Sequence, residues 1–387
     1  MMILRAKYVL PVSAPPIENG AVAVEGDTIV AVGRYGEVSG GKVRDLGEVV
    51  LAPGLINAHC HLDYTGMVGQ VKWRGTFTDW IQQVVALKNQ WTEAQYVESI
   101  REGLRQLLRT GTTSVVNIEC FPSLMQPTPL RVWWCPELID FNRGEVKPVP
   151  VEAAEWGLSP HAPYTVSRKL YRQATELARQ AGVILTTHLA ETTEEEEMFR
   201  LGTGVMYDYF RRAGRNMSDC RRMGPVQLLA EYGVLGVNCL AAHANCLTRQ
   251  DIQLLAKTGA HVVHCPKTHR YFGRGPSLLP ALWAAGVNVC LGTDSLASND
   301  QLDMFAEMQE LARMQPSLKP AQVLAMATVN AAKALNRSGK LGTIASGAGA
   351  DLIAVPLDGP VADPYAAVVF AEKPVTFVMI QGKAVKE

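Results

Sequence analysis

Histidine and aspartate side chains stand where several predicted strands end. His59 and His61 close the first of these strands, and alternate residues of an extended chain point to the same side, so two imidazoles can share one metal ion. A lone His-x-His pair is more often just two polar residues at a strand end. Here the placement recurs after later strands, at His188, His243, His264 and Asp294. Imidazole and carboxylate suit Zn²⁺ or Fe²⁺, and a shell that leaves room for water is of the catalytic kind.

The elements that must position these groups alternate β-rich runs with longer helical stretches, which is typical of parallel strands joined by crossover helices. Helices are predicted at residues 92–109, 167–180 and 251–257. Eight strands are predicted, at residues 55–59, 114–118, 131–135, 155–159, 183–188, 240–243, 261–264 and 287–292. The pattern predicts an α/β fold with a (β/α)₈ barrel of the TIM type, whose catalytic groups lie at the carboxyl ends of the strands.

Both chain ends consist instead of short apolar runs separated by turn residues. We therefore expect them to share one small β-sandwich domain. The predicted division is residues 1–53 for its N-terminal part, 54–340 for the barrel and 341–387 for its C-terminal part.

Composition excludes several classes of partner. Lys plus Arg and Asp plus Glu number 37 each, so the formal net charge is zero and no basic surface for nucleic acid or an anionic membrane is indicated. No run approaches the ~20 apolar residues of a membrane helix, and the N-terminus does not resemble a signal peptide. Eight cysteines without a C-x-x-C pair indicate thiols in a reducing compartment. We expect a cytoplasmic protein with a small-molecule substrate, either a monomer or a homo-oligomer.

Six segments together resemble the amidohydrolase superfamily, in the branch that contains cytosine deaminase, S-adenosylhomocysteine deaminase and atrazine chlorohydrolase. They are residues 53–61 (PGLINAHCH), 159–164 (SPHAPY), 188–192 (HLAET), 242–243 (AH), 264–266 (HCP) and 291–295 (LGTDS). Any one of these segments alone would be weak, but their ordered occurrence along nearly the whole chain is specific.

The resemblance implies roles for the matching residues. His59, His61, His188 and Asp294 would hold one divalent ion, Zn²⁺ or Fe²⁺. Three residues would be catalytic: Glu191 shuttles protons, His243 holds the nucleophile or polarises the developing oxyanion, and Asp294 also accepts a proton. Binuclear relatives carry a carboxylated lysine after the fourth strand, whereas this chain has Ser159-Pro160-His161, which favours a single ion.

Substrate contacts are less determined by the sequence. The resemblance places His161 against the substrate, although a histidine between prolines could simply cap its own backbone. Trp73, Phe77 and Trp80 could stack on an aromatic ring or face the core. Glu119 could bind substrate or, more in keeping with its position, pair at the surface. The family's Ser-Asn is replaced by Thr268-His269, so His269 and Arg270 are candidate substrate contacts or else solvated loop residues. The acidic run 194–197 is predicted to be the solvated first turn of a helix.

The expected function is metal-dependent hydrolytic deamination of an amino-substituted N-heterocycle or nucleoside-like amine, such as an adenosine derivative, aminofutalosine or a pterin. Chlorohydrolase or cyclic amide hydrolase chemistry on the same site is the alternative within enzymes. A non-catalytic barrel scaffold is the alternative outside them. The intact set of expected catalytic positions favours an enzyme.

Overall fold

The computed structural model describes residues 1–141, 146–359 and 361–386, and it contains two eight-stranded sheets. The first sheet takes strands from both chain ends in the order β16-β15-β14-β5-β1-β2-β3, with β4 paired to β1. Its strands are β1 (Met2–Val9), β2 (Ile17–Glu25), β3 (Thr28–Arg34), β4 (Lys42–Asp45), β5 (Val49–Pro53), β14 (Leu352–Pro356), β15 (Phe377–Ile380) and β16 (Lys383–Lys386). The two ends thus form one small β domain, as predicted.

The second sheet is the barrel, with its eight parallel strands in chain order. They are β6 (Leu55–Cys60), β7 (Thr112–Glu119), β8 (Arg131–Leu138), β9 (Glu155–Pro160), β10 (Ile184–Leu189), β11 (Cys239–His243), β12 (His261–His264) and β13 (Val289–Leu291). A parallel bridge between Cys60 and Asp294 brings the first and last units together. The predicted TIM-type barrel is confirmed, with strand ends that differ from the predicted ones by at most three residues. The exact domain boundaries remain a prediction.

Helices follow the strands and surround the barrel. They are α1 (Phe77–Lys88), α2 (Glu93–Arg109), α3 (Arg168–Ala181), α4 (Thr193–Leu201), α5 (Gly204–Arg212), α6 (Pro225–Tyr232), α7 (Arg249–Thr258), α8 (Pro266–Tyr271), α9 (Leu279–Ala284), α10 (Met304–Met314), α11 (Pro320–Met326), α12 (Val329–Ala334) and α13 (Pro364–Val369). Within the described ranges, none is long and apolar enough to cross a membrane.

Local sequence explains the three helices that were predicted. The Gln95 side chain accepts from the backbone N–H of Thr92, a capping contact that starts α2. Ser167 caps α3 by accepting from Leu170 N, and α3 ends at Gly182 in the left-handed region (φ 67°). Thr248 caps α7, which ends at Gly259. Each helix therefore starts and stops within two residues of its predicted bounds.

The barrel interior is a packed core. Inward-facing side chains on alternate positions of the strands fill it, among them Ile56, Ala58, Val116, Trp133 and Leu240. Such an interior leaves no channel through the barrel. Chemistry is therefore confined to the rim at the carboxyl ends of the strands, where polar side chains begin.

Candidate active site

Four predicted ligands meet at this rim. His59 lies in β6 and His61 directly follows it, whereas His188 lies in β10 and Asp294 follows β13. Nε2 of His61 is 3.3 Å from Nε2 of His188. Oδ1 of Asp294 is 3.5 Å from Nε2 of His59 and 3.8 Å from Nε2 of His61. Ligand atoms around a tetrahedral zinc ion are about 3.3 Å apart, given bonds of roughly 2.0–2.1 Å, so these separations fit one small divalent ion.

The unpaired ring nitrogens of the histidines are also consistent with metal binding. Both ring nitrogens of His59 and Nδ1 of His61 are buried and find no hydrogen-bond partner among the described residues. Nδ1 of His188 faces the backbone carbonyl of His161 at 3.0 Å, which leaves its Nε2 for a metal. Burial lowers the pKa of His61 to about 3 and that of His188 well below its ordinary value. Neutral imidazoles are the form that binds metal.

Asp294 lies at the cluster because the last strand unit of the barrel contacts the first. The N–H groups of Thr293 and Asp294 donate to the carbonyl of His59 at 3.1 and 3.0 Å. Gly292 makes this approach possible, because a Cβ there would stand 2.8 Å from the Cβ of His59. Burial alone would raise the pKa of Asp294, but the neighbouring imidazoles, with Nε2 of His59 3.5 Å away, hold that pKa well below the usual range. The carboxylate is thus ionised, as a ligand requires.

Residues at the site that occupy the left-handed backbone region include Ala190 (φ 48°), His243 (φ 73°) and Asp294 (φ 58°). For non-glycine residues this conformation costs roughly 1–2 kcal/mol each. All three lie where a strand of the barrel ends, at or beside a predicted functional residue. The strain reflects the sharp turns that bring side chains of separate strands over one point.

Glu191 and His243 lie beside the ligands. Oε2 of Glu191 is 3.8 Å from Nε2 of His243, and that nitrogen has no hydrogen-bond partner within the described part of the chain. Burial raises the pKa of Glu191 well above its usual value, an effect that Arg274 partly opposes. Burial also lowers the pKa of His243 to about 3. The ligand-type atoms of His243, His59, His188 and Asp294 all lie within 4.8 Å of one another, so His243 faces the same point as the ligands.

The loop that carries Glu191 is held from behind. Glu195 is fully buried and accepts from the N–H groups of Ala190 (3.2 Å) and Glu191 (2.8 Å). The side chain of Asn245 donates to the carbonyl of Glu191 at 3.3 Å, and its oxygen meets Nδ1 of His269 at 3.0 Å. The expectation of a solvated acidic turn is therefore wrong for Glu195. Glu194 also departs from it, since it accepts from the backbone N–H groups of Phe77 and Thr78 at the start of α1.

A cavity of about 350 Å³ opens beside the cluster and is bordered by His61, His188, Asp294, Glu191 and His243. The apolar part of the lining comprises Phe77, Trp80, Ile81, Val84, Phe141 and Phe210. The polar part includes Lys88, Glu137 and His161. This combination suits a small substrate with one hydrophobic and one hydroxylated part.

The predicted substrate contacts separate into two groups. His161 borders the cavity, where Nδ1 meets the Thr165 hydroxyl at 2.7 Å and the ring lies 4.8 Å from that of His188. Trp73 lies outside the lining and packs edge-on against Phe272. His269 is turned away into the Asn245 contact and a 2.8 Å contact with the carbonyl of Gly275. Arg270 is more than half exposed and pairs with Glu310 at 2.7 Å. The structure thus brings only His161 of these four to the cavity.

Two features of the structure were not predicted from the sequence. Glu137 and Lys88 border the cavity, yet neither carried a motif. Glu119, expected at the surface, is buried and accepts from Asn117 Nδ2 and Phe121 N. The signal that could have found Glu137 is its place at the end of a longer third barrel strand.

Comparison with known proteins agrees with this site. The amidohydrolase family model matches residues 50–121 and 147–385. A 5-methylthioadenosine/S-adenosylhomocysteine deaminase from Syntrophobacter fumaroxidans is 32% identical over 96% of this chain and 89% of its own length. Among solved structures, a zinc-bound adenosine deaminase from Xanthomonas campestris superposes with a TM-score of 0.86 at 26% identity, covering 100% of this chain and 92% of its own. The Helicobacter pylori aminofutalosine deaminase, in complex with methylthio-coformycin, has the same fold (TM-score 0.86, 21% identity, 100% of both chains).

The barrel and its histidine and aspartate cluster define a metal-dependent hydrolase that acts on carbon–nitrogen bonds of heterocyclic compounds. The chain belongs to the amidohydrolase family.

Proposed function

We propose that this protein is a hydrolytic deaminase of adenosine-type nucleosides, replacing the exocyclic amine of the purine by oxygen and releasing ammonia. The observation that carries the proposal is the buried Glu191 carboxyl, whose Oε2 lies 3.8 Å from Nε2 of His243 beside the predicted ligands. The names of relatives that deaminate 5-methylthioadenosine, S-adenosylhomocysteine and adenosine support the substrate class.

The proposed resident cofactor is one divalent ion, Zn²⁺ or Fe²⁺, held by His59, His61, His188 and Asp294. When bound, such an ion would supply a coordinated water whose pKa falls from 15.7 to about 7. The zinc-bound relative supports this assignment. All eight cysteines are free thiols, which supports the expected cytoplasmic location.

Glu191 would move the protons. Amide ion is a very poor leaving group, so the amine must be protonated before the C–N bond breaks, while a ring nitrogen gains a proton during attack. A carboxyl can take the two protons of the attacking water in turn and deliver one to the ring nitrogen and the other to the amine. Burial raises the pKa of Glu191, which favours its uptake of a proton. His243 would hold the attacking oxygen, and His161 would contact the purine from the polar side of the cavity.

A substrate panel tests the proposal. Metal-loaded protein is assayed for ammonia release from adenosine, 5′-methylthioadenosine, S-adenosylhomocysteine, aminofutalosine, a pterin and an aminotriazine, with halide release from a chlorotriazine followed in parallel. We expect ammonia from one or more adenosine derivatives, with a kcat/KM at least 100-fold above that of the pterin and triazine. Halide release, or opening of a cyclic amide, without ammonia from any nucleoside would replace the proposal by one of the alternative hydrolases.

A further inference from the structure

Glu137 stands at the carboxyl end of β8 with its carboxylate at the cavity. Its side chain is only 6% exposed, and burial by itself would raise its pKa. Lys88 and the nearby histidines outweigh that effect and lower the pKa to about 2, so the group is ionised. An ionised carboxylate only accepts hydrogen bonds. Whatever meets it in the cavity must therefore donate.

The two oxygens of Glu137 are used differently. Oε2 accepts from Sγ of Cys120 at 3.0 Å and lies 3.9 Å from Nζ of Lys88. Oε1 lies 3.9 Å from Nε2 of His161, which is too long for a hydrogen bond, and it makes no hydrogen bond within the described residues. Lys88 is itself held by the Tyr64 hydroxyl and by Cys120 Sγ at 3.3 Å. Contacts with the described residues thus fix one oxygen of this cavity-lining residue and leave the other free to accept a hydrogen bond.

The position of Glu137 relative to the predicted metal ligands limits which substrate group can donate a hydrogen bond to its Oε1. His161 lies between Glu137 and the predicted ligand His188. Its Nε2 is 3.9 Å from Oε1 of Glu137, and its ring centroid is 4.8 Å from that of His188. A purine whose exocyclic amine points at Glu191 presents only ring nitrogens that accept, because N1, N3 and N7 carry no hydrogen and N9 bears the sugar. In adenosine and 5′-methylthioadenosine the remaining donors are the ribose hydroxyls.

We propose that Glu137 is a specificity residue that recognises the 2′,3′-diol of the substrate ribose through Oε1, with Lys88 holding the carboxylate in place. This inference rests on the deaminase function proposed above and deepens it, since it predicts ribonucleosides as the substrate class. A ribose hydroxyl donates to Oε1, and the second hydroxyl can accept from Nζ of Lys88 and donate to the same carboxylate.

The test compares ribonucleosides with their deoxy analogues, in the wild-type protein and in Glu137→Gln. Zinc-loaded protein is assayed with its best adenosine-type ribonucleoside and with the matching 2′-deoxy, 3′-deoxy and 2′,3′-dideoxy compounds. We expect kcat/KM to fall about ten- to a hundredfold for the dideoxy compound, mostly through KM, as for loss of a hydrogen bond to a charged group. Glu137→Gln should lower kcat/KM for the ribonucleoside by a similar factor and for the dideoxy compound less than threefold. The matched control is Glu310→Gln, a buried ion-paired glutamate outside the cavity, which should keep the wild-type ratio.

Several outcomes would overturn the inference while leaving the deaminase function intact. One is equal turnover of ribo and dideoxy substrates by the wild-type protein, which needs no variant and so holds even if Glu137→Gln misfolds. Another is an equal loss on both substrates in Glu137→Gln, which would mean a structural role only. If no adenosine derivative is deaminated, the proposed function fails first. Calorimetric binding of adenosine and 2′,3′-dideoxyadenosine then decides the diol claim, since equal affinities, or no binding, would overturn it too.

Discussion

Within the described part of the chain the Glu191 carboxyl makes no hydrogen bond, and its Oε2 lies 3.8 Å from Nε2 of His243. Its backbone, by contrast, is fixed on both sides by Glu195 and Asn245. A proton-transfer group needs this combination, because the carboxyl must be positioned without being neutralised by a fixed partner.

Replacing Glu191 by Gln should therefore remove proton transfer and little else. Gln keeps the size and polarity but cannot act as a base, so kcat should fall by about 10²–10⁴. Metal content and thermal midpoint should stay close to the wild type. Glu197→Gln, on α4 and outside the cavity, is the control and should stay within twofold. A loss of less than about tenfold in Glu191→Gln, with chemistry rate-limiting, would transfer the role to Asp294 or His243.

At the scale of the elements, the barrel was predictable because polar residues lie at or just after several of its strands, and because the three predicted helices begin at capping residues. The lengths of the barrel strands were less predictable. The third barrel strand was predicted to end at residue 135, but β8 continues to Leu138 through Pro136. A proline normally interrupts a strand within a sheet, which is why Glu137 fell outside the predicted site.

The side-chain contacts of the substrate could not be predicted for a different physical reason. Positions 269 and 270 follow β12 at a rim position, and sequence alone cannot say which way a short helix turns. In α8 the ring of His269 turns toward Asn245, whereas Arg270 points outward to Glu310. Glu195 shows the converse: an acidic run looked solvated, but two unpaired backbone N–H groups in the preceding loop draw one carboxylate inside.

Glu195 should act as a positioning residue for the loop before α4. In Glu195→Gln one backbone N–H would face the amide NH₂ instead of an acceptor, which costs roughly 1–3 kcal/mol for a buried donor. We expect kcat to fall by about tenfold with KM nearly unchanged, and the zinc content to remain at the wild-type value. Kinetics at saturating substrate, together with metal analysis, provides the check. A variant that lost stability but kept kcat within twofold would limit Glu195 to a structural role.

Glu307 ties α10 to the start of α8, accepting from Lys267 N at 2.9 Å and from Asn299 Nδ2 at 2.7 Å. Burial raises its pKa from 4.5 to about 8. Its contribution to stability is therefore full below pH 4.5 and is lost as the pH rises through 8. The free energy of unfolding of the wild type should fall between pH 5 and 8 more steeply than that of Glu307→Gln, by on the order of 1–3 kcal/mol. Parallel pH profiles from urea unfolding would contradict this.

At the scale of the whole molecule, the β domain and the barrel are joined by a largely buried ion pair. Asp351, just before β14, accepts from Arg131 Nε at 2.6 Å and from Gln381 N at 2.7 Å. Arg131 begins β8, the strand that ends in Glu137. The β domain thus supports the barrel at the amino end of a strand whose carboxyl end borders the cavity.

Asp351→Ala should lower the free energy of unfolding by about 2–4 kcal/mol, because it leaves a mostly buried guanidinium without its partner. Asp45→Ala, which breaks the exposed pair with Arg5, is the matched control and should cost under about 1 kcal/mol. Folded Asp351→Ala should keep kcat within twofold, since the residue lies outside the cavity. Equal losses of stability in the two variants, measured by urea unfolding, would refute a supporting role for this contact.

The central claim is that the cluster of His59, His61, His188 and Asp294 holds one catalytic divalent ion. The most direct measurement is a titration of chelator-stripped protein with Zn²⁺, or with Fe²⁺ under anaerobic conditions, following ammonia release from an adenosine derivative and bound metal per chain. We predict a rate that rises from near zero to a plateau at one equivalent, and no recovery in His59→Ala at the same metal concentrations. Full activity in the metal-free wild-type protein would rule out a catalytic ion at this cluster.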